Sequence, residues 1–286
     1  MAVTENSTIG IVTDSASQIP RALADQLGVT VVPIVVAIDG TEYREGVDLE
    51  PDDFWARIVG GVLPEVTTSQ PSPGAIAEVY RSLEKRGITE IVSIHVGADV
   101  SGTVNSATLA ADTVDANVIV VDSGTASFGV SACVWEAAAV RDAGASAEAV
   151  AGRARAVGLH VATTFILQAL EFARVGGRID TTGLSAGPDE PIMVLGGVGT
   201  RLEVTGEGRT VDELCEHMAD SMLAGGVPIR AAVSLADDAT LPFTVGIEER
   251  LGASDLVVDM VRYRVGPSIA AHTGPGTAGG FWWPAS

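Results

Sequence analysis

The sequence has few cysteines and few aromatic residues. Its 286 residues contain only Cys133 and Cys215, which stand far apart and form no CxxC pair. Two isolated thiols are typical of a reducing compartment, so we expect neither a disulfide framework nor a catalytic thiol. Aromatic residues make up 5% of the chain and hydrophobic residues 47%. Alanine, valine, isoleucine and leucine must therefore fill most of the core.

Basic residues are also scarce, since 17 Lys and Arg stand against 37 Asp and Glu, for a net charge of -20. Nucleic-acid binding depends mainly on neutralising phosphates, and anionic membrane surfaces attract basic segments. The charge balance therefore argues against both kinds of partner. It also keeps an apolar-rich protein soluble.

Long apolar runs are missing as well. No run reaches the roughly 18 to 20 residues that a membrane span needs. Residues 1–10 have neither the basic start nor the apolar stretch of a signal peptide. We therefore expect a cytoplasmic protein without stable membrane insertion.

Several catalytic motifs are absent from the sequence. It has no P-loop, no glycine-rich kinase loop, no Gly-x-Ser-x-Gly elbow and no histidine cluster with metal-ligand spacing. We therefore expect no metal and no cofactor, and we expect any phosphoryl transfer to be performed by a partner.

The first half of the chain alternates strand and helix patterns, which predicts a parallel sheet with helices on both faces. The dipeptide Asp39-Gly40 predicts a hairpin turn. The predicted strands cover residues 9–13, 29–38, 41–43, 91–96 and 118–121, and the predicted helices cover 20–27, 51–59, 73–85, 103–113, 128–141 and 147–157.

The second half has a mixed α+β pattern and a glycine-rich loop at 183–199. The predicted strands cover residues 161–165, 191–195, 200–204, 229–236 and 256–264, and the predicted helices cover 167–175, 212–223 and 244–251. We place the boundary near residue 158, which predicts an N-terminal α/β domain at 1–158 and a C-terminal α+β domain at 159–286.

Small polar residues recur on predicted loops punctuated by glycine and proline, among them residues 67–69 and His272. In a doubly wound sheet, ligands bind beyond the carboxyl ends of the strands, and Asp14, Ser15 and Ser123 each follow a predicted strand. Taken singly, these side chains are more often helix caps or turn residues. Ser101 stands at the start of a predicted helix, where capping and anion binding are compatible. The whole inventory suits a carboxylate or phosphate.

Five segments together resemble the DegV family. They are Ile-Val-Thr-Asp-Ser-Ala-Ser at 11–17, Thr-Thr-Ser-Gln-Pro-Ser-Pro at 67–73, Ser-Gly-Thr at 101–103, Gly-Gly-Arg-Ile at 176–179 and Gly-Pro-Gly at 274–276. Members of this bacterial family bind a long-chain fatty acid in a tunnel between two α/β domains. Many are the acyl-carrying subunit of fatty acid kinase and present the carboxylate to an ATP-binding subunit. The resemblance thus implies a DegV-like fold and a lipid-binding protein that is not itself an enzyme.

The resemblance also implies which residues hold the carboxylate head group. They are Thr67, Thr68, Ser69, Ser101, Gly102, Thr103, Arg178 and His272. Asp14, Ser15, His95 and Ser123 are neighbours or possible contacts, and His95 stands where the family often has proline. A buried carboxylate needs charge pairing and hydrogen bonds, and arginine, hydroxyl and histidine groups supply them.

Two departures from the family pattern keep alternatives open. Gly97-Ala98-Asp99 replaces the serines that usually precede Ser-Gly-Thr, and Glu190 replaces a family lysine. One alternative is a lipid sensor without kinase coupling. Another is a hydrolase-like enzyme for small molecules at the interdomain cleft, with Asp14 or His272 as its general base. The tail residues Trp282 and Trp283 indicate either packing or a local interaction patch.

Overall fold

The computed structural model describes residues 8–58, 65–182, 184, 187 and 189–285. Residues 1–7, the last residue of the predicted helix at 51–59 and four positions of the predicted loop at 183–199 lie outside this part of the chain. The strands are β1 Ile9–Asp14, β2 Val29–Val32, β3 Val35–Ile38, β4 Thr41–Arg44, β5 Val66–Ser69, β6 Glu90–His95, β7 Asn117–Asp122, β8 Ala162–Ile166, β9 Ile192–Val198, β10 Arg201–Gly208, β11 Ile229–Leu235, β12 Val257–Arg264 and β13 Ala278–Pro284. The helices are α1 Arg21–Leu27, α2 Pro51–Ile58, α3 Pro73–Glu84, α4 Thr103–Ala111, α5 Phe128–Asp142, α6 Ala147–Gly158, α7 Leu170–Gly176, α8 Val211–Leu223, α9 Leu241–Gly252 and α10 Pro267–Thr273.

The chain divides into two units. Met1–Val35 and Ser69–Leu159 form the first unit, and Val36–Thr68 and His160–Ser286 form the second. Residues 36–68 were expected in the N-terminal domain, but the structure groups them with the second unit. The physical reason is packing: the indole Nε1 of Trp55 donates to the Val265 carbonyl at 2.8 Å, 210 residues further along the chain.

The first unit contains the predicted parallel sheet, in the order β2-β1-β6-β7. Strand β1 is buried along its whole length, as expected for a parallel strand covered on both faces. Helix α3 is capped by Ser72, whose hydroxyl accepts from the Ala75 amide, and Pro73 is the first helical residue. Both features favour a helix start.

The predicted strand at 29–38 is two strands in different sheets. Strand β2 pairs with β1, whereas β3 lies between β4 and β5 in a three-stranded sheet. The break falls at Pro33 and Ile34, because proline has no amide hydrogen with which to continue a ladder. The predicted hairpin turn is confirmed, since Asp39 and Gly40 have φ angles of 48° and 79°.

The second unit contains a six-stranded mixed sheet in the order β10-β9-β8-β13-β11-β12. The tail that carries the two tryptophans is strand β13, paired antiparallel with both β8 and β11. A side chain on Gly279 would meet the Thr164 carbonyl oxygen at 2.1 Å, so this strand needs glycine where the neighbouring backbones approach. Trp283 is 1% exposed, which settles its role as packing.

Among the described residues, no helix has both the length and the apolar character needed to span a membrane.

Candidate functional site

The hydroxyl-rich segment lies in a strand and not in the expected loop. Within β5, Thr68 is partly buried, whereas Thr67 and Ser69 are exposed. This alternation follows from the pleat, since successive side chains of a strand point to opposite faces. The structure therefore separates Thr68 from the other two hydroxyls of the motif.

Thr68 contacts His272. Its Oγ1 lies 3.0 Å from Nε2 of the imidazole. His272 was expected in a glycine- and proline-rich loop, but it lies in the last turn of α10. The helix runs to Thr273. Gly274 ends it with a φ angle of 72°, a conformation that favours glycine.

Helix α7 approaches His272 from another side. A side chain on Gly176 would lie 2.6 Å from Nδ1 of His272 and 2.9 Å from its Cα, so only glycine fits there. Gly177 follows in the left-handed conformation and ends the helix. Nη1 of Arg178 then donates to the Gly176 carbonyl at 2.8 Å. This turn places the guanidinium group near the imidazole.

The environment of His272 keeps its ring neutral. Burial first, and then the positive charge of Arg178, lower the pKa of His272 to about 4 against a weaker opposing effect of the Gly176 backbone. Nδ1 of this ring is buried, with no hydrogen-bond partner of good geometry among the described residues. Such an orphaned polar atom is costly to bury. The buried Nδ1 of His272 therefore has unused hydrogen-bonding capacity, beside the hydroxyl of Thr68 and the charge of Arg178.

The segment that follows His272 is held in place by side chains of the same unit. Oδ2 of Asp237 accepts from the Gly276 amide at 3.1 Å. The Thr277 hydroxyl donates to the carbonyls of Thr273 and Gly274 at 3.1 and 2.9 Å. These bonds satisfy the end of α10 and restrict the position of its last turn.

In the first unit, Ser101 and Thr103 are brought together at the start of α4. Their hydroxyl oxygens are 2.9 Å apart, and Oγ of Ser101 also accepts from the Thr103 amide at 3.3 Å. Ser101 is not the N-cap of α4, because Gly102 occupies that position, but its hydroxyl still accepts from the amide of the first helical residue, which is compatible with anion binding. Gly102 lies against Gln70, whose side-chain nitrogen would be 2.5 Å from an added Cβ.

Asp14 and His95 form part of a buried chain of hydrogen bonds. Oδ2 of Asp14 is 2.9 Å from Nδ1 of His95 and accepts from the Val96 amide at 3.2 Å. Nε2 of His95 is 2.7 Å from Oγ of Ser93, to which the Tyr80 hydroxyl donates at 2.8 Å. All four side chains are fully buried, and burial raises the pKa of Tyr80 to about 12.

This chain of atoms matches the order of a Ser-His-Asp triad, but its burial gives a substrate no access to the hydroxyl of Ser93. An ionised Asp14 can only accept, so Nδ1 of His95 carries the hydrogen. The arrangement binds the ends of β1 and β6 together and does not favour Asp14 as a general base.

Ser15 and Ser123 make local contacts. Oγ of Ser15 accepts from the Ile34 amide at 2.9 Å. The hydroxyl of Ser123 donates to the Thr125 carbonyl at 3.4 Å, within a turn. These bonds agree with the expectation that a lone polar residue after a strand is usually a cap or turn residue.

The second unit also contains a mainly apolar cavity of about 150 Å³. It is lined by Leu167, Gln168, Leu170, Leu184, Gly187, Glu190, Pro191, Ile192, Met193 and Leu195. Cavities of this size hold a group about as large as benzene. Glu190 is part of the lining.

Metal and thiol chemistry find no support in the described ranges. No group of three or more His, Cys, Asp or Glu side chains there could hold a metal ion. Cys133 and Cys215 are buried and unbridged. Burial raises the pKa of the Cys133 thiol to about 12 and also raises that of Cys215, so neither is a ready thiolate.

No sequence pattern singles out Ser93 or Glu45, which also shape these groups. Ser93 and His95 are two apart in a strand, so the period of two could have predicted that they share a face. Gly176 stands in a recognised motif, but its close approach to α10 depends on distant packing. Glu45, which contacts the start of α10, has no local pattern that marks it.

Known proteins resemble this chain along almost its whole length. A family model described as an uncharacterised protein of the DegV family matches residues 8–285. A DegV domain-containing protein of Deinococcus radiodurans is 33% identical over 287 residues, which cover 95% of this chain and 97% of the relative. One of Streptomyces coelicolor is 31% identical over 279 residues, which cover 95% and 96%.

Solved structures agree with this likeness. A DegV family protein from Thermus thermophilus, described by its fatty acid binding, has a TM-score of 0.86 and 33% identity, with 97% of this chain and 99% of that chain covered. A stearic acid-binding protein from Eubacterium ventriosum has a TM-score of 0.81 and 25% identity, with 96% and 98% covered.

Proposed function

Because this chain belongs to the DegV family, we propose that it binds a long-chain fatty acid and holds the carboxylate at Thr68, Arg178 and His272. The observation that carries the proposal is the buried Nδ1 of His272, which has no partner of good geometry among the described residues and lies beside a guanidinium group. The fatty acid binding described for the protein from Thermus thermophilus supports the ligand class.

The chemistry of the three side chains suits a carboxylate. Arginine offers two parallel N–H donors in a plane that matches the two carboxylate oxygens. The neutral imidazole and the hydroxyl carry one hydrogen each; one hydrogen joins the two groups, and the other adds a donor for the carboxylate without adding charge. One positive charge then meets one negative charge, which limits the cost of removing the carboxylate from water.

The alkyl chain would supply most of the binding free energy. Each buried methylene contributes about 0.8 kcal/mol, so a long acyl chain gains roughly 10 kcal/mol before the cost of association is subtracted. The cavity of about 150 Å³ in the second unit is apolar enough to take part of such a chain, but too small to enclose all of it. The tunnel implied by the family resemblance remains part of the proposal.

The other predicted contacts rest on the resemblance alone. They are Thr67, Ser69, Ser101, Gly102 and Thr103. The same holds for presentation of the carboxylate to an ATP-binding kinase subunit in the cytoplasm. A protein that retains fatty acid yet gives no acyl phosphate with such a subunit and ATP would instead act as a lipid sensor.

The first experiment is to purify the protein gently, extract it with organic solvent and measure fatty acid by mass spectrometry. We expect about one fatty acid per chain in the wild type and a clear loss in Arg178→Ala. Arg201→Ala is the matched control, because Arg201 is an exposed cation of β10 in the same unit. Equal retention in Arg178→Ala and Arg201→Ala would contradict the assignment of Arg178 to the head group.

The enzyme alternative is tested in the same preparation. If the wild type carries no fatty acid and takes up none, turnover of small esters and phosphates should be measured with the wild type and with His272→Gln. Turnover that His272→Gln abolishes, in a protein that stays folded, would favour a hydrolase-like enzyme.

A further inference from the structure

The segment 36–68 contacts the chain around α10 at successive points. Asp52 forms an ion pair with Arg264, and Trp55 donates to the Val265 carbonyl at 2.8 Å. Glu45 and Thr68 then contact α10 itself. These contacts run from the end of β12 to the last turn of α10, so one segment supports the whole helix.

Glu45 makes the contact at the start of the helix. Its Oε1 accepts from the Ser268 amide at 2.9 Å, and both residues are 5% exposed. A hydrogen bond to a carboxylate is about twice as strong as one between neutral groups. Removing the carboxylate would also leave a buried amide without this acceptor, which costs more than the bond itself contributes.

Helix α10 depends on such contacts for its position. It has seven residues, and isolated helices shorter than about 12 residues are marginal in water. Ser268 and His272 are four residues apart, so they lie on the same face, one turn from each other. A bond that holds Ser268 therefore also determines where the imidazole of His272 lies.

We propose that Glu45 is a positioning residue for His272: by holding the first turn of α10, it keeps the imidazole against Thr68 and Gly176. This inference rests on the proposed function for its consequence in ligand binding, because displacement of His272 would then weaken the carboxylate site. Glu45 itself touches no ligand in this arrangement.

The test measures His272 directly, by NMR titration of the imidazole, and fatty acid retention in parallel. The chain has four histidines, and the resonance missing from His272→Gln identifies the right one. In Glu45→Ala the pKa of His272 should rise by about one unit or more from its low value toward the ordinary value near 6.5. Fatty acid affinity should fall about tenfold. Glu45→Gln keeps an oxygen acceptor and should restore most of both.

The matched control is Glu213→Ala in the same unit. Glu213 accepts from the amides of Arg209 and Thr210 at the start of α8. Its loss should destabilise that helix and leave the His272 titration unchanged. If Glu45→Ala fails to fold, Trp55→Phe is the second variant. It removes the bond to the Val265 carbonyl, just before α10, and should also raise the pKa of His272.

The outcomes separate this inference from the proposed function. An unchanged His272 titration in Glu45→Ala, or an equal shift in Glu213→Ala, overturns the positioning role. A shifted titration in a protein that binds no fatty acid supports the positioning role and contradicts the proposed function.

Discussion

Oγ1 of Thr68 lies 3.0 Å from Nε2 of His272, although 204 residues separate the two in the chain. This bond joins the one partly buried hydroxyl of strand β5 to the last turn of α10. It brings Thr68 beside the helix that Gly274 ends, inside one unit of the protein.

Replacing Thr68 with valine should weaken fatty acid binding. Valine keeps the shape but removes the hydroxyl, which contributes about 1 kcal/mol as a hydrogen bond and therefore roughly fivefold in affinity. Thr68→Ser should retain most of the affinity because it keeps the oxygen. The measurement is competition of a fluorescent fatty acid in delipidated protein, and wild-type affinity in Thr68→Val would contradict the role of this hydroxyl.

The free energy of unfolding should decrease as the pH is lowered, because His272 becomes protonated. The pKa of His272 is lowered to about 4 in the folded protein from an ordinary value of 6.5, so between these values the unfolded chain binds more protons. The stabilisation is complete above about pH 6.5, falls by on the order of 2 kcal/mol by pH 5 and is lost through pH 4. Urea unfolding of the wild type and His272→Gln at pH 7 and pH 5 measures it. A difference between the two proteins that stays the same at both pH values would show that His272 does not titrate in this way.

Gly176→Ala should disturb His272, whereas Gly177→Ala should not. The new methyl group at 176 would lie 2.6 Å from Nδ1 of His272, and such overpacking costs about 1 to 3 kcal/mol. At Gly177 there is open space, and only the positive φ angle of 62° opposes a side chain, at about 1 kcal/mol. Thermal unfolding measures the loss of stability in each variant. The NMR resonance of His272 distinguishes the two variants, because only Gly176→Ala should move it.

His95→Phe should destabilise the first unit more than Tyr80→Phe. Losing the imidazole leaves the fully buried carboxylate of Asp14 without its cation-capable partner, which costs about 3 to 5 kcal/mol. Losing the Tyr80 hydroxyl removes one neutral bond at the far end of the chain of hydrogen bonds, which costs about 1 kcal/mol. Urea denaturation gives both values, and equal losses would mean that Asp14 does not depend on His95.

The sequence by itself determined most of the element order, without β5, α10 and β13, together with the parallel sheet of the first half, the mixed character of the second half and the family. Those features follow from local periodicity and from motifs whose order needs no knowledge of contacts. Strand β13 was not predicted, because Gly279 and Gly280 carry no side chains that could show an alternating pattern.

Only the tertiary structure decided which side chains meet. The pleat of β5 turns Thr68 and not Thr67 toward His272, and the close approach of Gly176 brings Arg178 to the same imidazole. Segment 36–68 joins the second unit through contacts that span about 200 residues of chain. Such contacts depend on how packed elements fit one another, and no local pattern of residues encodes that fit.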